Sequence, residues 1–434
     1  MQKIGFGGRQ KMAQLVYNKS GRLLFTEEMR QEYTILLPMM LPIHFAFLER
    51  ILNNYGYKAE LLKTTGRPII DEGLQNVHND TCYPALLVIG QMMHALKSGK
   101  YDLNKTALMI TQTGGGCRAS NYINLLRKAL IKNNMSYVPV VSLNLSNLEK
   151  NPGFKLSAPL VLEMLLGVAY GDVLMWVGNQ VRPYEVNKGE TDKLIEKWSE
   201  YISNDKFSAS RFYSNSCKII KDFEKIPVTT EEKVKVGIVG EVYIKFAPLG
   251  NNCLEDFLRS EDVEIVIPGL TDMMLFMCDH HIVETQLYHV HYKKYIASGT
   301  LKIFIRSLQN KMIKALKDSR FRAPARFEET KKNSSGYVSP ANKMGEGWLL
   351  TAEMVELINA GVKNIVCAQP FGCLPNHVVG RGMVRKIKKV YSDANIVAID
   401  YDPGATKVNQ ENRIKLMLST AKTRLEQEKK NNNQ

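Results

Sequence analysis

Four familiar signatures of enzyme chemistry are missing from this 434-residue chain. It has no GxxxxGKS phosphate loop, GxSxG elbow, HExxH helix or GxGxxG dinucleotide fingerprint, so it carries no visible ATPase of its own. The segment GFGGRQ from Gly5 has glycines but no strand before it. Long uncharged apolar runs are missing too. Ile35 to Ile51 is broken by Pro38, Pro42, His44 and Glu49, and Ala158 to Val177 by Glu163 and Asp172. A spanning helix needs roughly 20 nearly uncharged residues, so no membrane segment is expected. The opening MQKIGFGGRQKMAQ has no apolar core ahead of a small-residue cleavage site, and a cytoplasmic protein is expected.

Closely paired cysteines are also lacking. Seven cysteines, an odd number, in a long chain without an export signal argue against a disulfide framework and leave buried thiols or metal ligands. Zinc sites bring paired ligands a few residues apart, whereas the cysteines singled out below have 34 and 255 residues between them. The tightest group, CDHH from Cys278, reads as a surface turn or core histidines more readily than as a metal site. The formal net charge of +15 favours acidic partners. The basic residues are spread along the chain without a recognition motif, however, so nucleic-acid binding is not expected.

What is present is an α/β pattern. Length predicts two or three domains. In the N-terminal part, helix LVIGQMMHALKSG precedes strand TALMITQTGG and a second short run, VPVVSLN. Residues 151–230 are mostly helical. Strands VGIVGEVYI and VEIVIPG open a second unit, which resumes after a helical excursion from Asp272 to Asp318 with helix TAEMVELINAG, strand NIVCAQP, helix VVGRGMVRKIKKVY and strand NIVAIDYDPG. The expected fold is therefore α/β, with two Rossmann-like parallel-sheet domains (1–150 and 231–415) joined by a helical connector (151–230) and followed by a flexible tail (416–434). Ligand sites in such folds lie beyond the carboxyl ends of the strands.

Three cysteines share that setting: Cys82 in HNDTCYPA, Cys117 in TQTGGGCRASNY and Cys373 in QPFGCLPNH. Each borders an element beside glycine, proline or polar residues, where free backbone N–H groups and a helix dipole favour a thiolate. Glycine flanks let the backbone approach a bulky inorganic group, and GGGCR could form a nest of donors around cluster sulfides or a phosphate. Cys367, inside NIVCAQP, reads instead as an ordinary packed thiol.

These motifs, together with RPYE at Arg182 to Glu185, VGEVYIKFAP and DPGATKVNQENRIKLML, make the chain resemble the 2-hydroxyacyl-CoA dehydratase family over nearly its whole length, and in particular the carboxy-terminal region of activase-related fusion proteins. The resemblance implies a [4Fe-4S] cluster at the domain interface held by Cys82, Cys117 and Cys373, and dehydration of a 2-hydroxyacyl-CoA through a ketyl radical under anaerobic conditions. It also implies an external ATP-dependent iron–sulfur activator and either a homodimer or pairing with a related subunit. A second branch, the double-cubane [8Fe-9S] reductases of small molecules, would need about six cysteines, which Cys217, Cys253, Cys278 or Cys367 could supply, Cys253 first. A non-catalytic iron–sulfur subunit is a third reading. Arg118 could meet cluster charge or a phosphate, or form a structural ion pair. His377 and Asn376 could donate to a bound oxygen or cap a helix. Glu241 could transfer protons, although a salt-bridged structural role is favoured for a carboxylate buried at a strand end.

Overall fold

The computed structural model describes residues 13–113, 115–144, 148–204 and 207–432. GFGGRQ and Gly114, the first glycine of GGGCR, lie outside them. Short β-branched or leucine-rich runs form two four-stranded parallel sheets. The first holds β1 (Thr34–Pro38), β2 (Lys58–Leu62), β3 (Thr106–Thr111) and β4 (Val140–Leu143) in the order β2-β1-β3-β4. The second holds β5 (Lys235–Gly240), β6 (Glu264–Val266), β7 (Asn364–Pro370) and β8 (Asn395–Tyr401) in the order β8-β7-β5-β6. Register is fixed by burial on both faces: Ile238 stands opposite Val366, and Ile35 opposite Ala107, all fully buried. A short antiparallel hairpin, Val16–Tyr17 with Leu23–Leu24, precedes the first sheet.

The helices that matter most for the site are α1 (Tyr83–Lys97), α2 (Ala158–Val181), α3 (Val242–Phe246), α4 (Leu270–Tyr288), α5 (Tyr292–Leu316), α6 (Leu349–Asn359) and α7 (Lys407–Asn432). Helix α2 is long and apolar enough to cross a membrane, yet 67% of its most apolar stretch is buried inside the fold. Its Asp172 explains why it belongs in a protein core. The buried carboxylate takes a 2.8 Å contact from His44 and accepts the backbone N–H groups of Leu270 and Thr271 at 2.9 and 2.8 Å. A buried charge so satisfied anchors the start of α4.

Two expected segments differ. The stretch expected as a flexible tail from residue 416 is helical through Asn432, because Ile414, Met417, Leu418 and Ala421 recur at helical spacing and are buried. The expected single helix VVGRGMVRKIKKVY is broken into a wide turn (Asn376–Gly380), a 3-10 turn (Arg381–Met383) and a short α-helix (Val384–Val390).

Candidate functional site

Cys82 is the N-cap of α1. Proline in the first turn of that helix leaves no wasted donor, and the cysteine itself is buried. Cys117 caps the 3-10 turn Arg118–Asn121 beyond the end of β3. Its loop is pinned by Ser120, whose hydroxyl donates to the carbonyls of Gly115 and Cys117 at 2.9 and 2.8 Å. Cys373 follows β7 in a tight turn whose Gly372 takes φ +71°, and it too is buried.

These loops, from both sheets, meet around one cavity of about 540 Å³ lined by all three cysteines. Two backbone contacts hold the halves together: the Tyr83 N–H donates to the Phe371 carbonyl at 3.0 Å, and Gly372 packs on the Cys82 backbone. The cavity also receives Glu241 from the start of α3, Glu346, Arg118, and His280 from α4. At Gly116 the thioether of Met344 packs directly on the backbone, so a side chain there would have to displace the end of that methionine.

Burial pushes all three thiols upward, Cys117 to about 11, and for Cys373 the carboxyls of Glu241 and Glu346 add to the effect. Opposing this, Cys82 Sγ lies 3.0 Å from the Tyr122 hydroxyl, and the Ala85, Ala119 and Asn376 backbone amides serve Cys82, Cys117 and Cys373 in turn. The sulfurs are thus supplied with donors suited to thiolates, while only Cys82 also feels a cation, Arg118, too weakly to offset burial. A cationic iron core, if bound by the three sulfurs, would supply positive charge where burial disfavours thiolates, and the donor set is compatible with that. Among the described residues no three His, Cys, Asp or Glu converge on one metal-ion position. That geometry concerns single ions; the thiolates of a cubane each bind a different iron and stand further apart.

Glu241 caps α3, accepting the Ile244 N–H at 2.9 Å. Burial and the neighbouring Glu346 push its carboxyl up to about 8. Glu346, a residue the sequence did not single out, accepts the Val242 N–H at 2.9 Å and is itself raised by burial. Behind them Lys245 and Glu353 form a buried ion pair, 2.9 and 3.1 Å to the two carboxylate oxygens. The ion pair expected of Glu241 therefore belongs to its neighbours. Arg118 is exposed at the mouth of the cavity.

The other candidates lie elsewhere. His377 is outside the lining, hydrogen-bonded to Gln369, and Asn376 is fully buried, donating to the Ala368 carbonyl at 2.9 Å. Cys253, at φ +60°, lines a separate cavity of about 290 Å³ beside Phe246 and Glu255. Cys278 and Cys367 are buried in α4 and β7, and Cys217 is half-buried on the helix Phe212–Glu224. The CDHH group falls inside α4, where successive residues point about 100° apart. Asp279 pairs with Lys302 and Lys331 at 2.8 and 2.7 Å, while His280 faces the cavity, its imidazole lowered to about 4 by burial and then by His281. In RPYE, Arg182 pairs with Asp192 at 2.6 Å and Glu185 accepts the Gly189 and Thr191 N–H groups, which makes this motif a structural corner. No protein-family model matches this sequence, and no curated protein matches it either.

Proposed function

We propose that Cys82, Cys117 and Cys373 hold one [4Fe-4S] cluster at the junction of the two α/β units, and that the protein is an iron–sulfur enzyme of the 2-hydroxyacyl-CoA dehydratase type. One observation carries the reading: three cysteines far apart in sequence line a single cavity at strand and helix ends, while the other four do not. A cluster there supplies one-electron chemistry and a Lewis-acidic iron. The remaining work falls to the chain. Glu241, uncharged at neutral pH through burial and Glu346, holds a proton facing the cavity. Arg118 at the mouth presents a cation to the phosphates of an acyl-CoA. His280, neutral at pH 7, lines the same cavity. The overall reaction removes a hydroxyl from C2 and a proton from C3 as water and is redox-neutral. Because the sequence has no phosphate loop, ATP-driven electron delivery is assigned to a separate activator.

The test is anaerobic reconstitution with iron and sulfide counting and Mössbauer spectroscopy, followed by dehydration assays with activator, ATP and a panel of 2-hydroxyacyl-CoAs. About four irons per chain and turnover only with activator and ATP are expected. About eight irons would favour the double-cubane reading, and a cluster without turnover the non-catalytic subunit.

A further inference from the structure

Helices α4 and α5 form a hairpin whose turn exposes twelve consecutive residues, 286–297. On its inner side α5 buries Ile305, Leu308, Met312 and Leu316. An α-helix with one such stripe ordinarily turns polar residues outward. Helix α5 does not. Tyr292, Tyr295, Ile296, Gly299 and Ile303 recur at three- and four-residue steps on the opposite face, with Ile296 67% and Ile303 63% exposed. At about 1.5 Å per residue this second stripe runs about 16 Å. In its middle Gly299 leaves open space where a side chain would stand.

The helix's own charge has one sign, although Glu328 stands 3.0 Å from Lys302 and 3.9 Å from Arg306. From Thr285 to Lys317 the sequence holds seven lysines and arginines and no aspartate or glutamate. Lys293 is exposed beside the stripe at its start, and Arg306, on the same face, at its end.

We infer that the outer face of α5 is a docking surface for an acidic amphipathic helix of a partner protein. The narrow apolar stripe with a glycine notch matches a helix ridge, and the flanking cations match acidic residues beside that ridge. A second copy of this chain would bring the same cations against themselves. A lipid surface calls for a broad apolar face, whereas this stripe is bordered at once by Lys293 on one side and Ser298 on the other. The inference stands on α5 alone. Joined to the iron–sulfur reading, it places the partner on the hairpin whose other helix carries Met273, Met277 and His280 into the cysteine cavity.

The probe is a fluorescein-labelled synthetic helix of about 20 residues, with leucines along one seam and glutamates on both flanks, titrated with the full chain by anisotropy. Binding is expected to weaken about tenfold with Ile296→Glu and also on raising salt from about 0.05 to 0.5 M, and to be unaffected by Leu416→Glu on the remote α7. Circular dichroism checks that each variant stays folded. The inference is overturned by absent binding, by equal binding of a peptide with lysine flanks, or by indifference to Ile296→Glu. It is equally overturned if Ile296→Glu abolishes only binding to phosphatidylglycerol vesicles, or only self-association in sedimentation. Absence of iron would sink the cluster reading and leave these measurements as they stand.

Discussion

Gly372 rests directly on Cys82: a Cβ at position 372 would stand 3.0 Å from the Cys82 Cα and 3.3 Å from its amide nitrogen. The turn that delivers Cys373 is thus seated on the helix start that delivers Cys82, and the Tyr83 to Phe371 hydrogen bond fixes the same seam. Two of the three sulfurs are positioned by this one backbone seam, with Cys117 brought in from the end of β3.

This contact yields the first prediction. Gly372→Ala combines a left-handed backbone with a tight approach to main chain, so it should destabilise the protein by about 1–3 kcal/mol and lower iron retention after reconstitution. Gly361→Ala is the control, since Gly361 has φ +82° but open space around it and shares only the backbone strain. Denaturant melts and iron counts on both variants check it, and equal iron content in the two would count against the seam.

The cysteines give the second. Cys82→Ser, Cys117→Ser and Cys373→Ser should each lose most of the iron and the charge-transfer absorption, because an alcohol is a poor ligand to iron. Cys217→Ser and Cys253→Ser should retain about four irons per chain. Loss of iron from Cys253→Ser would move the site towards a larger cluster.

Much of the fold was legible because its signals are local. The β-branched runs that became β5 and β7 are short, apolar and bounded by glycine or proline, and the cysteines that share the cavity sit in the turns that end such elements. Glu346 was not legible: its place is set by a hydrogen bond to Val242, 104 positions away, and the polar stretch around it reads as an ordinary loop. His377 looked functional beside Cys373, yet the wide turn from Asn376 to Gly380 carries it to Gln369. The segment expected as a tail from residue 416 holds three core residues, Met417, Leu418 and Ala421, which were missed because composition weighs the polar outer face of α7 as heavily as the inner one.

Lys245 and Glu353 supply the third prediction. Both side chains are nearly inaccessible, at 5% and 4% exposure, so removing one partner strands a buried charge. Lys245→Met and Glu353→Leu should each destabilise by about 3–5 kcal/mol, and the double variant should recover most of that loss. A double-mutant cycle by urea denaturation measures it. Additive losses would mean that the two side chains stabilise the fold independently.

The last prediction concerns pH. Glu356, on α6, accepts the Thr330 hydroxyl at 2.7 Å, and burial followed by the charge of Glu353 pushes its carboxyl up to about 7. In the unfolded chain a glutamate titrates near 4.5, so between about pH 4.5 and 7 the folded protein holds a proton that the unfolded chain has released. Stability then falls as pH rises through this window, because the fold binds more protons than the unfolded chain, and is level above it. Glu356→Gln keeps an acceptor for Thr330 and removes the titration. It should be more stable than the parent at pH 8, by on the order of 1–3 kcal/mol, and nearly equal to it at pH 4.5. Urea melts of the two proteins across pH 4.5 to 8 decide it: a constant difference between them would assign the titration to another group, and a variant less stable at pH 8 would show that the ionised carboxylate is favoured in the fold.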